Sequence, residues 1–191
     1  MNLRQRRKIE TTKLIRDAAI ALSREIGTEN VTIEAICKAA GISQRTFFNY
    51  FPFKEAVFVF TPPPLPLDAV LRFAAGTGDL LGDLTDLMVA QAIALESALA
   101  ADAPSRQTAE KHPRLMPLQM EEMRKLETEL QELIAARLSG KGKQVASAAL
   151  AGAVLGATRT AVNRWQNAEN AKLAQVVRET LEIFVKTVRT T

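Results

Sequence analysis

Residues 33–54 read IEAICKAAGISQRTFFNYFPFK: a short amphipathic helix, a glycine turn, and a second short helix with a polar start. Thr32 stands where its hydroxyl can cap the first helix. Ile33, Ile36, Cys37 and Ala40 fall on one face at helical spacing, and Gly41 supplies the left-handed backbone that ends the helix. Ile42 then points an apolar side chain inward. Ser43 is placed to accept a hydrogen bond from the Thr46 amide as the cap of the next helix, a contact worth about 1 kcal/mol.

That second helix is predicted over Gln44–Tyr50. Phe47 and Phe51 lie one turn apart and anchor it to the helices beneath. Gln44, Arg45, Thr46, Phe48, Asn49 and Tyr50 are left to its flanks and outer face. A helix start rich in Gln, Arg and Thr suits base edges and phosphates in a major groove, so the stretch reads as a helix-turn-helix.

Residues 11–60 resemble the N-terminal domain of the TetR family of one-component transcriptional repressors. TKLIRDAAIALSREIG at 12–27 is similar to that family's first helix, VTIEAICKAAGIS at 31–43 to its second helix and turn, and SQRTFFNYFPFKEAVF at 43–58 to its recognition helix leading into helix four. The remainder resembles the family only in helical layout. Carried over by position, the resemblance implies that Thr32, Ser43, Tyr50 and Lys54 meet backbone phosphates and that Gln44, Arg45 and Thr46 read the groove. Two positions depart from the family pattern: a small residue is frequent where Arg45 stands, and Tyr where Phe48 stands. Phe48 cannot donate a phenolic hydrogen bond to phosphate. It either touches a thymine methyl or packs, while Arg45 either makes a bidentate contact with guanine or binds phosphate.

Charge follows the motif. Lys and Arg number 25 against 21 Asp and Glu over the 191 residues, but residues 1–54 hold ten basic and five acidic groups, leaving the rest about neutral. Such a concentration is the electrostatic footprint of a polyanion partner. The run Arg4, Arg6, Arg7, Lys8 reads either as a solvated tail or as an arm along DNA.

Composition excludes other classes. One His and one Cys cannot assemble a usual zinc site, and no Gly-rich phosphate loop follows a strand. No cofactor, metal or enzymatic activity is therefore expected. Cys37 permits no internal disulfide and reads as a small core residue. No apolar segment follows the basic start, and the apolar stretch 145–157 is short for a bilayer and rich in Ala and Gly, so a cytoplasmic protein with no membrane partner is expected.

The remaining chain reads as helices. Thr11–Ile26 carries a stripe of Ile15, Ala18, Ala19, Leu22 and Ile26 beneath the reading pair. Residues 53–60 are expected to begin a fourth α-helix, which Thr61-Pro62-Pro63-Pro64-Leu65-Pro66 terminates. The family's fourth helix is usually a long continuous rod, and the proline run departs from that pattern. Helices follow over 68–74, 79–100, a short stretch through Glu110, 115–138, 144–165 and 171–190, with His112-Pro113 at a corner. The 115–138 stripe runs Met116, Met120, Met123, Leu126, Leu130, Leu133 and Leu138.

The expected architecture is all-α, with a helix-turn-helix domain over 1–53 and a helical effector-binding and dimerisation domain over 54–191. Small residues along 143–165 and the apolar stripe of the final helix suit a four-helix dimer interface. Candidates for a pocket taking a small hydrophobic or amphipathic effector are Phe73, Met88, Gln91, Met116, Met120, Met123, Thr158, Val162 and Trp165. The resulting expectation is a homodimeric, ligand-responsive repressor that binds a palindromic double-stranded DNA operator and leaves it when the effector binds. The alternative is a DNA-binding interaction module whose C-terminal domain recruits a protein without a small-molecule effector.

Overall fold

The computed structural model describes residues 3–101 and 112–190, which form eight α-helices and no strand. These are α1 (Leu3–Ile26), α2 (Ile33–Ala40), α3 (Gln44–Tyr50), α4 (Leu67–Ala75), α5 (Leu80–Ala101), α6 (Met116–Arg137), α7 (Lys143–Gln166) and α8 (Leu173–Thr190). The expected short helix through Glu110 lies outside the described residues. The chain divides into two compact units, and the boundary crosses α6 after Glu121.

The first unit takes residues up to Thr61 together with 112–121. Its core is Ile15 and Ala19 of α1, Val31, Ile36 and Cys37 of α2 and its approach, Phe47 and Phe51 around α3, and Ala56, Val57 and Phe58. Full burial of each large apolar side chain contributes about 1.5–3 kcal/mol, which is how helices as short as α2 and α3 are held. α1 begins earlier than its apolar stripe indicates, so the basic run at 4–8 is helical.

Residues 54–58 differ from the expectation. They form a 3-10 turn, Lys54–Phe58, and not the first turn of an α-helix. Burial of Ala56, Val57 and Phe58 within so few residues favours the tighter turn, and extended backbone through the prolines follows it. Arg16 Nη1 donates to the Thr61 hydroxyl at the end of this segment.

The second unit holds residues 62–101 and 122 onward. Phe73, Leu84, Leu87, Met88, Leu130, Ile134, Val154, Leu173, Val177 and Leu181 form its core, with α8 packed on both α5 and α7. Polar contacts add to this apolar packing. Glu96 Oε2 accepts from the Leu173 amide at 2.8 Å, satisfying an orphan donor at the start of α8. The Trp165 indole donates to the Ala171 carbonyl at 2.8 Å. Arg137, its side chain only 8% exposed, donates to Asp83 at 2.6 Å and to the Phe73 carbonyl at 3.1 Å, and lies over the Phe73 ring. Gly76 admits that cluster, since a Cβ there would fall 2.3 Å from Asp83 Oδ2.

The apolar stretch at 145–157 belongs to a longer helix. α7 as a whole is long and apolar enough, by length and composition, to cross a membrane, and 28% of its most apolar window is buried. Its buried positions Ser147, Ala151, Val154, Thr158 and Ala161 recur at helical spacing, the pattern of a helix that lays one face on a core.

Candidate nucleic-acid interface

Capping chemistry sets the geometry of the reading pair. Thr32 has extended backbone, and its hydroxyl accepts from the Ala35 amide at 3.1 Å at the start of α2. Gly41 adopts φ 65° and ψ 34°, and the amides of Gly41 and Ile42 return to the carbonyls of Lys38 and Cys37. This is the left-handed closure that the sequence predicts. Ser43 then accepts from the Thr46 amide at 3.0 Å, and the two hydroxyls lie 2.9 Å apart. Two caps and one glycine thus fix where α2 stops and where α3 starts.

Packing sets the face. Phe47 is fully buried, tilted against Phe51 at 5.7 Å between ring centroids and meeting Phe48 edge-on at 5.5 Å. The opposite side of α3 is open. Arg45, Phe48 and Asn49 are exposed, with Phe48 at 51%, while Thr46 and Tyr50 are half-buried on the flanks. An aromatic ring half in water is held there by its edge contact with Phe47, which leaves its outer surface free for an apolar contact.

Polar partners restrain the flanks. Gln44 Nε2 donates to Glu34 Oε1 of α2 at 3.0 Å. Lys54 Nζ donates to the Glu29 carbonyl at 3.3 Å, so its ammonium sits beside the loop that leads into Thr32. Thr32, Ser43, Gln44, Arg45, Thr46, Phe48, Asn49, Tyr50 and Lys54 therefore all stand in the first unit, on or next to the helix-turn-helix. Cys37 is buried among apolar groups. Desolvation, and secondarily the Glu34 carboxylate, push its thiol pKa up, which keeps it protonated and inert.

Sequence reasoning missed a group that braces this unit from far along the chain. Arg114 lies over the Phe53 ring at 4.4 Å and pairs with Glu55. Gln119 Nε2 donates to the Phe60 carbonyl at 3.1 Å, and Leu118 packs against the unit's core. The only sequence signal was the Pro113 corner, which marks a helix start and says nothing of what that helix touches.

The nine pocket candidates are dispersed in burial. Phe73, Met88, Gln91 and Thr158 are buried in the second unit, and Val162 and Trp165 are half-buried at its core. Met116, Met120 and Met123 are exposed, at 62%, 64% and 39%. The stripe they were expected to share with Leu126, Leu130 and Leu133 reaches the core only from Leu126 onward. An open groove of about 570 Å³ runs between the start of α5 and the end of α8, laced by the Arg189–Asp79 and Arg178–Asp86 ion pairs, and contains none of the nine. Among the described residues no cluster of His, Cys, Asp and Glu is arranged to hold a metal ion.

Residues 15–59 match the bacterial regulatory proteins of the tetR family, and residues 106–189 match the MftR C-terminal domain. Comparison with curated proteins finds no match. The N-terminal match begins in α1 and ends just past the 3-10 turn, enclosing both caps, the glycine closure and α3; the C-terminal match takes in α6, α7 and nearly all of α8. With both ends matched and the capped reading pair in place, the chain belongs to the TetR family and is a DNA-binding transcriptional regulator.

Proposed function

We propose that the protein is a cytoplasmic, homodimeric repressor that holds a palindromic operator through two copies of α3 and releases it when a small hydrophobic or amphipathic effector binds the second unit. The observation that carries the DNA half is the orientation of α3: Phe47 is anchored, and Arg45, Phe48 and Asn49 are presented outward from a capped helix start. In this reading Gln44, Arg45 and Thr46 read bases while Thr32, Ser43, Tyr50 and Lys54 grip phosphates, the division expected of such a helix. The apolar groups left uncovered on α7 and α8, among them Val145, Ile183 and Val188 at 75%, 62% and 58% exposure, support pairing of two chains through these helices. An effector among Phe73, Met88, Gln91, Thr158, Val162 and Trp165 would act by favouring one of two arrangements of the dimer.

Selection of bound sequences from random DNA tests this reading. It should return an inverted repeat whose half-sites are separated by about one helical turn or more. A single unrepeated site, or recovery without sequence preference, would contradict it.

The exposed methionines favour a second reading. Met116, Met120 and Met123 recur at i, i+4 and i+7, and unbranched thioethers suit an adaptable protein-binding surface. If Met116→Ser with Met120→Ser leaves DNA binding intact but abolishes regulation in cells, the recruiting module becomes the better account.

A further inference from the structure

Gln91 sits on α5, is 2% exposed, and is hydrogen-bonded at one end only. Its Nε2 donates to the Pro63 carbonyl at 2.7 Å, while Oε1 is the buried side-chain oxygen or nitrogen that finds no partner among the described residues. The amide cannot be turned over to relieve this, because Oε1 would then face the Pro63 carbonyl, acceptor against acceptor. The buried side-chain hydroxyls described in this unit are engaged elsewhere, Ser147 on the Gln144 carbonyl. The core residues of this unit are predominantly Leu, Val, Ala, Met and Phe. Its two buried threonines spend their protons on their own helices, Thr85 on the Leu81 carbonyl and Thr158 on the Val154 carbonyl. An orphaned buried acceptor costs free energy, and buried polar groups in native proteins are as a rule given a partner.

From this we infer that Gln91 is the polar anchor of the effector site, and that the molecule it takes is largely apolar with one O–H or N–H aimed at Oε1. The inference rests on the effector reading above and adds the ligand's chemistry to it. A carboxylate or phosphate is disfavoured, because a carbonyl oxygen repels an anion and offers it no proton. Met88, one turn earlier on the same helix and equally buried, is an unbranched side chain able to change rotamer and open room for a guest. Because the other end of the amide grips Pro63, the guest would meet a residue already attached to the proline connector.

The full-length protein can be titrated with two isomers, octan-1-ol and methyl heptyl ether, which share every atom and differ in the O–H. The wild type is expected to bind the alcohol about tenfold more tightly, and Gln91→Met should bring the two within about threefold. The wild-type comparison needs no variant, so it stands whether or not Gln91→Met folds. Equal binding of the isomers, a preference that survives in folded Gln91→Met, or binding of neither would overturn the Gln91 assignment. The effector reading is tested separately on the same samples. An alcohol that binds through Gln91 yet leaves selected operator DNA fully bound would overturn that reading and leave the anchor in place.

Discussion

Gln44, the first residue of α3, donates from Nε2 to Oε1 of Glu34, the second residue of α2, at 3.0 Å. A residue assigned to the groove is thus held by a carboxylate that phosphate would repel. Glu34→Ala removes a charge opposing the DNA and frees Gln44 to sample other rotamers. Affinity for unrelated DNA should rise roughly fivefold, and the ratio of operator to unrelated affinity should fall. Fluorescence anisotropy on both DNAs checks this. Unchanged values on both would place Glu34 away from the bound duplex.

Gly41 closes α2 at φ 65° with nothing within 4 Å of where a Cβ would stand. Backbone strain is therefore the whole cost of a side chain there. Gly41→Ala should lower stability by about 1 kcal/mol and Gly41→Asn by less, since Asn tolerates left-handed backbone better. Chemical denaturation of both variants gives the comparison.

These local devices are why the reading pair was legible. Thr32, Gly41 and Ser43 act on neighbours within four residues, so sequence alone places the ends of α2 and α3. Long-range contacts leave no such mark. The stripe from Met116 to Leu133 has a helical period, but period gives a face and not what covers it, and the first three positions are exposed. Residues 54–58 carry apolar groups that fit an α-helical turn equally well, and packing of Ala56, Val57 and Phe58 chose 3-10 geometry. Nothing in the local sequence around Arg137 or Arg114 shows what either meets: the first is buried against Asp83 and Phe73, and the second braces Phe53 and Glu55.

Arg114 contributes to the first unit although it lies 59 positions beyond its partner Glu55. At a site this exposed, its stacking on Phe53 is worth about 0.5–1 kcal/mol, and the ion pair adds little. Arg114→Ala should destabilise the protein by about 1 kcal/mol. It should also weaken operator binding modestly, because Phe53 and Lys54 are neighbours. Thermal melts at low and high salt separate the two contributions, since the stacking contact is the less salt-sensitive one.

Pairing through α7 and α8 makes a simple demand on solution mass. Ala149 is exposed on α7 among other small residues, and Glu in its place would bury a charge in the proposed interface. Sedimentation should show a dimer for the wild type and a monomer for Ala149→Glu, with helical content unchanged. A wild-type monomer at micromolar concentration would contradict the pairing.

Base reading by α3 can be measured as the affinity of wild type, Arg45→Ala and Thr46→Ala for a selected operator and for the same operator with its half-site bases scrambled. Each substitution should cost about 1–3 kcal/mol on the operator and much less on the scrambled DNA, so that preference collapses. Full affinity and full preference in both variants would mean that α3 is not the recognition helix.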